Sequence, residues 1–255
     1  MTNLELYEEM VRLTRRGEPF ALAAVIASSG SSPRKVGAKM LVRSDGSFLG
    51  TVGGGRVEKE SVEAALAALK DETPRTLEYV LTGENGFACG GSMTVFIEPQ
   101  GRRPLLVMFG AGHVGRAVTG LAHGCGFRVV VVDERPDCAT AALLPGADQI
   151  ICKSVRDAFA GLPFGSESYV IIATPGHLSD FDAVRGCLAS EAGFIGLLGS
   201  SRKRETLLQT LAEEGFDATQ RARVVTPVGL DIGAQTPEEI AVSIVGQLIA
   251  LRSGK

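Results

Sequence analysis

The sequence predicts an α/β fold in two parts, a small N-terminal unit with antiparallel strands and then a parallel sheet covered by helices. Three observations carry that reading. Beyond residue 104, short apolar runs alternate with helical stretches, the pattern of strand–helix–strand units in a parallel sheet. At the first strand-to-helix junction the chain reads Gly110-Ala111-Gly112-His113-Val114-Gly115. Nearer the N-terminus, apolar runs at 39–43 and 47–52 flank Asp45-Gly46, a hairpin signal.

In the N-terminal part, Leu4, Leu6, Tyr7, Met10, Val11 and Leu13 recur at helical spacing and predict an amphipathic helix over 3–15, ending near Gly17 and Pro19. Phe20 to Ala27 predicts a strand, and the hairpin follows. Val62, Ala65, Leu66 and Leu69 share one face of a helix over 56–69, which Thr73-Pro74 stops. Strands near 76–82 and 92–98 complete the unit. Glu98-Pro99-Gln100-Gly101-Arg102-Arg103-Pro104 is polar and rich in turn formers, and it sets a boundary between a domain over 1–100 and another over 104–255.

In the second part, strands are predicted near 105–109, 128–132, 148–151, 169–173 and 193–198, with helices near 114–124, 179–189 and 201–213. A final helix opens on Thr236-Pro237-Glu238-Glu239, which supplies an N-cap, a first-turn proline and a capping-box glutamate. A lone G-x-G-x-x-G says little in a chain with 32 glycines. This one leaves a strand, enters a helix and lies about 20 residues before an acid that closes the next strand, as a Rossmann-like dinucleotide fold requires. Gly110 allows the tight turn, Gly112 lets backbone approach a pyrophosphate, and Gly115 lets the helix lie close on the strand. The acid is Asp133. It reads as an acceptor for a ribose 2′-hydroxyl, which favours an NAD-like over an NADP-like ligand, or as a cap on the Arg135-Pro136 turn.

Composition narrows the function. Hydrophobic residues make up 45% and charged residues 22%, enough apolar material for packed cores and too little charge for disorder. A net charge of −3 gives no footprint for nucleic acid. The five cysteines, Cys89, Cys125, Cys138, Cys152 and Cys187, contain no C-x-x-C pair and point to a reducing compartment, with neither a disulfide framework nor a zinc site. The opening residues lack a secretory apolar core and no apolar run reaches spanning length, which predicts a cytoplasmic protein free of the membrane.

Several further residues are candidates for chemistry. The loop Ser28-Ser29-Gly30-Ser31-Ser32-Pro33-Arg34-Lys35 gathers hydroxyls and cations, Ser31 and Arg34 among them, and suits an anion unless it is a plain surface loop. Gly53-Gly54-Gly55 runs into a helix at Arg56, placing open N–H groups beside a guanidinium. Three glycines are costly to order, so backbone there approaches either a ligand or another segment. Cys89, between a phenylalanine-alanine pair and two glycines, reads as an accessible thiol for metal, sulfur or redox work, or as a small apolar side chain. His177, after Thr174-Pro175-Gly176, reads as a proton shuttle facing the ligand or as a loop residue bound to backbone. Arg116 reads as a phosphate contact or a solvated side chain.

Ser29-Gly30-Ser31-Ser32-Pro33-Arg34, Gly50-Thr51-Val52-Gly53-Gly54-Gly55 with Val57-Glu58, Cys89-Gly90-Gly91, Phe109 to Gly115, Ile195-Gly196-Leu197-Leu198-Gly199-Ser200, and Gly229 to Ala234 with Thr236 to Ala241 together resemble the xanthine dehydrogenase accessory protein (XdhC/CoxI) family, in order and over nearly the whole chain. The resemblance implies a maturation factor, more a non-catalytic carrier than an enzyme. Such a factor binds the molybdenum cofactor as molybdopterin or its cytosine dinucleotide, helps its sulfuration with a cysteine desulfurase, and hands it to a molybdenum hydroxylase apo-enzyme, with a homodimer as the suggested assembly. Two departures stand out. Many relatives carry cysteine after the triple glycine where this chain has Arg56, which leaves Cys89 as the motif cysteine. Some relatives have arginine where this chain has Pro175. Two other classes compete: an NAD-dependent oxidoreductase using His177 for proton transfer, and a nucleotide-sensing regulatory module.

Overall fold

The computed structural model describes residues 3–81, 90–101 and 103–254. The chain divides into two compact units, Met1–Arg102 and Arg103–Lys255. The first contains α1 (Asn3–Arg16), β1 (Phe20–Ser29), β2 (Lys39–Arg43), β3 (Phe48–Gly50), α2 (Gly55–Asp71), β4 (Arg75–Leu81) and β5 (Gly91–Gln100). Its strands form one antiparallel sheet in the order β3-β2-β1-β5-β4.

Strand alternation explains why this sheet carries a helix on each face. Ala21, Ala23, Val25, Met40 and Val42 point into one core with Val57, Ala65 and Ala68 of α2. Phe20 and Leu41 take the opposite face and meet Leu6 and Leu13 of α1. Register between β1 and β5 shifts at Ile26, an exposed bulge residue that bends β1 just before its serine-rich end.

The second unit contains β6 (Leu105–Phe109), α3 (His113–Gly124), β7 (Arg128–Val132), β8 (Gln149–Ile151), α4 (Val155–Ala158), β9 (Tyr169–Ile172), α5 (His177–Leu188), β10 (Phe194–Leu197), α6 (Ser201–Glu213), α7 (Ala218–Ala222), β11 (Val224–Val225) and α8 (Pro237–Arg252). All its strand pairs are parallel, in the order β11-β10-β9-β6-β7-β8, which is the doubly wound Rossmann order. Val107, Phe109, Val130, Val132, Val170 and Ile172 face α5 and α6, while Leu106, Met108, Val129, Val131 and Ile171 face α3 and α8. Burial on both faces is why these strands read as continuous apolar runs.

The fold matches the two-part α/β expectation, and the Thr236 capping box is present as read: the Thr236 hydroxyl accepts from the Glu239 N–H, and the Glu239 carboxylate accepts from the Thr236 N–H. Several short elements escaped the sequence reading. α4 and α7 have four and five residues, too few for a helical period to show. β11 has two, and Thr226-Pro227 ends it because proline has no N–H for a ladder.

α1 is anchored to the sheet by Glu9, which accepts from Arg12 Nε at 2.6 Å and from Arg43 Nε of β2 at 2.8 Å. The Arg12 hydrogen bond, helped by Arg43 and opposed by burial, pulls the Glu9 carboxyl down to about 2. Its stabilisation is therefore complete above the ordinary glutamate value and is lost as pH falls toward 2. Urea unfolding should show Glu9→Gln about 1 kcal/mol less stable than the parent at pH 7, with the gap narrowing steadily below pH 4. A gap independent of pH would refute the charged clasp.

Candidate functional site

In the N-terminal unit, three segments distant in sequence meet through contacts that leave no room for side chains. A Cβ on Gly91 would sit 2.3 Å from the Ser29 carbonyl oxygen and 2.4 Å from that of Ser31. A Cβ on Gly53 would lie 3.1 Å from Pro33 Cγ and 3.6 Å from Met93 Cε. The Ser29 and Ser92 hydroxyls are 2.8 Å apart. The loop after β1, the triple glycine and the start of β5 thus form one cluster.

Around it, Ser31 and Arg34 are exposed, and among the described residues the Arg34 guanidinium has no partner. The Ser32 hydroxyl donates to the Arg34 carbonyl, holding the loop in a tight turn. Gly54 and Gly55 have open space where a Cβ would stand, and both hold positive φ, 80° and 54°. Gly54 caps α2 without a side-chain acceptor, so the first N–H groups of a 17-residue helix are open. Arg56 turns away from that opening. Its Nε lies 2.6 Å from Glu60, whose hydrogen bond raises the guanidinium above its ordinary value. In the structure Arg56 forms an ion pair along its own helix with Glu60, with its side chain 61% exposed. Cys89 lies outside the described residues.

In the second unit the three motif glycines differ in what surrounds them. A Cβ on Gly110 would meet the Ala173 carbonyl oxygen at 2.2 Å, and one on Gly115 would meet that of Gly110 at 1.9 Å, so both positions require glycine. Gly112 has nothing within 4 Å and leaves the backbone open to a ligand. Capping follows the same division. α3 and α5, which begin after the central strands β6 and β9, have glycine N-caps without side-chain acceptors, while Ser200 and Thr236 cap α6 and α8. Open N–H groups therefore concentrate where the strand order reverses.

Asp133 is 5% exposed, and both its oxygens are engaged. Oδ2 accepts from the Ala111 N–H at 2.6 Å, and Arg135 donates to both oxygens through its guanidinium. Burial works to raise the carboxyl, but hydrogen bonds from Arg135 and Ala111 outweigh it and hold the group below its usual range. Arg116 donates to the Ala111 carbonyl at 2.9 Å, a turn contact where a phosphate contact or a solvated side chain was expected. A shallow cleft lies beside the turn, lined by Gly110, Asp133, Glu134, Lys153, Thr174 and Ser179 among others. His177 is exposed in the first turn of α5 and is outside that lining.

Behind Thr174 lies a buried ion pair the sequence did not signal. Asp180, 1% exposed, accepts from the Thr174 N–H at 3.0 Å and its hydroxyl at 2.7 Å, and pairs with Lys203 Nζ. Lys203 also donates to the Leu198 carbonyl at 2.9 Å, so the loops after β9 and β10 are pinned together. Glu134, Lys153 and Ser179 were missed as well. The usable signal was position, since residues just past the ends of parallel strands line the ligand crevice. Among the described residues no group of three His, Cys, Asp or Glu is placed to hold a metal, and no helix is long and apolar enough to cross a membrane.

These features define a Rossmann-type protein with an appended antiparallel unit and a glycine turn open toward a ligand. The chain belongs to the XdhC and CoxI family: residues 13–80 match that family, and residues 106–248 match its XdhC Rossmann domain. YqeB of Escherichia coli K12 is 36% identical over 255 residues, covering 98% of this chain and 47% of the relative, so the chain spans about half of that protein's length. A probable xanthine dehydrogenase subunit of Bacillus subtilis 168 is 26% identical over 317 residues, covering 92% of this chain and 94% of its own. The molybdenum cofactor insertion chaperone PaoD of Escherichia coli K12 is 23% identical over 273 residues, with coverages of 92% and 84%. A solved structure of a xanthine dehydrogenase from Bacillus halodurans is 26% identical, aligns over 100% of this chain and 97% of that one, and gives a TM-score of 0.55.

Removing one member of the Asp180–Lys203 pair leaves a buried charge uncompensated. Lys203→Met should cost about 3 kcal/mol in urea unfolding, and adding Asp180→Asn should recover part of that loss. Strict additivity of the two changes would mean that the pair is uncoupled.

Proposed function

We propose that this chain is a maturation factor that binds the molybdenum cofactor as cargo, assists its sulfuration with a cysteine desulfurase, and delivers it to a xanthine dehydrogenase-type molybdenum hydroxylase. The observation that carries the reading is the cluster of Ser29–Ser31, Gly53–Gly55 and Gly91 beside the open N-terminus of α2. The cargo is an anionic pterin phosphate, or a cytosine dinucleotide with a pyrophosphate. Open N–H groups, serine hydroxyls and Arg34, which has no partner among the described residues, suit phosphate oxygens. The relatedness to PaoD, an insertion chaperone for this cofactor, supports the same role.

The Rossmann unit, in this reading, holds a nucleotide at Gly112, where no side chain stands between backbone and ligand. The open helix ends of α3 and α5 favour that assignment. An NAD-dependent oxidoreductase is less well supported, because His177, the proton donor it requires, is not among the residues that line the cleft.

The test is to purify the protein from a host that makes molybdenum cofactor and to identify released small molecules by mass spectrometry. The parent should carry a pterin phosphate or its cytosine dinucleotide, and Arg34→Ala should hold it about tenfold less tightly, the scale of one charged hydrogen bond. No retained pterin, together with NADH oxidation by small carbonyl compounds that His177→Ala abolishes, would replace the carrier with the oxidoreductase.

A further inference from the structure

We propose that Glu134, and not Asp133, reads the ribose of a nucleotide at the glycine turn, and that its carboxylate favours a free 2′-hydroxyl over a 2′-phosphate. The inference rests on the nucleotide reading above. It starts from the acceptor capacity of Asp133. A carboxylate offers about four lone-pair sites. Oδ1 accepts from the Arg135 N–H at 2.9 Å and from Arg135 Nε at 2.9 Å. Oδ2 accepts from the Ala111 N–H at 2.6 Å and from Arg135 Nη2 at 2.7 Å. All four sites are filled, on a side chain that is 2% exposed. A ribose hydroxyl could bind only by displacing Arg135 or the backbone of the glycine turn itself.

Glu134 is in the opposite condition. It is exposed, lines the same cleft as Gly110, Thr174 and Ser179, and among the described residues its carboxylate has no hydrogen-bond or ion-pair partner. The position after β7 is one residue further along than the usual acid, but the chain has left the strand there and no longer alternates between faces. An unpaired carboxylate accepts well from vicinal hydroxyls and repels a phosphate dianion placed against it. Lys153 is the countervailing group, an ammonium on the same lining and also without a partner among the described residues. If Lys153 dominated, the preference would reverse, so the sign of the selectivity decides between the two side chains.

Titration calorimetry with NAD and NADP as probes separates the outcomes. The parent should bind NAD about tenfold or more tightly than NADP, the scale of a charged hydrogen bond. Glu134→Gln should bring the two affinities within about threefold of each other while leaving the melting temperature unchanged. Asp133→Asn should lower the melting temperature and leave the selectivity in place. If Asp133→Asn abolishes the selectivity and Glu134→Gln keeps it, the inference fails while nucleotide binding stands. A preference for NADP also overturns it. If neither dinucleotide gives saturable binding, the nucleotide reading fails and takes the inference with it.

Discussion

Backbone packed on backbone, with no side chain between, is the contact on which both units depend. In the Rossmann unit Gly110 lies against Ala173 and Gly115 lies against Gly110, and in both cases a methyl group would overlap a carbonyl oxygen. Those two approaches bring β6 close to the end of β9 and seat α3 on the turn. In the N-terminal unit Gly91 plays the same part against Ser29 and Ser31. Close approach exposes N–H groups that a bulkier residue would cover, so the constraint that builds each turn also makes it able to receive an anion.

Polar groups behind these turns hold their geometry. Asp133 ties the glycine turn to the end of β7, and Asp180 with Lys203 ties the loops after β9 and β10. Because Asp133 is held below its usual range, its contribution is complete above the ordinary aspartate value and is lost only as pH falls through the lowered one.

These contacts mark where sequence reading succeeds and where it stops. Strands buried on both faces read as apolar runs, and the Thr236 capping box is a local pattern that the chain carries out as written. Gly110 and Gly115 were legible because only glycine meets their steric demand. Lys203 was not, because its partner lies 23 residues away and the pair exists only after two loops are brought together. Asp133 shows a subtler limit. Its place after the second strand was legible, but whether its oxygens are free depends on Arg135, whose side chain folds back onto it.

Arg56 follows the same logic at the N-terminal cluster. A guanidinium beside an open helix end would ordinarily add to the pull on an anion, but its pairing with Glu60 cancels most of that charge within one turn. Lys35 stays exposed but is engaged within its own loop, with Nζ 3.4 Å from the Gly30 carbonyl oxygen. What remains is the dipole of α2, the serine hydroxyls and Arg34. Such a site selects by the direction of its donors more than by net charge, since the helix end acts over only about its first turn. An ion that merely diffuses past gains little there. A phosphate whose oxygens match the spacing of the N–H groups gains from each of them at once.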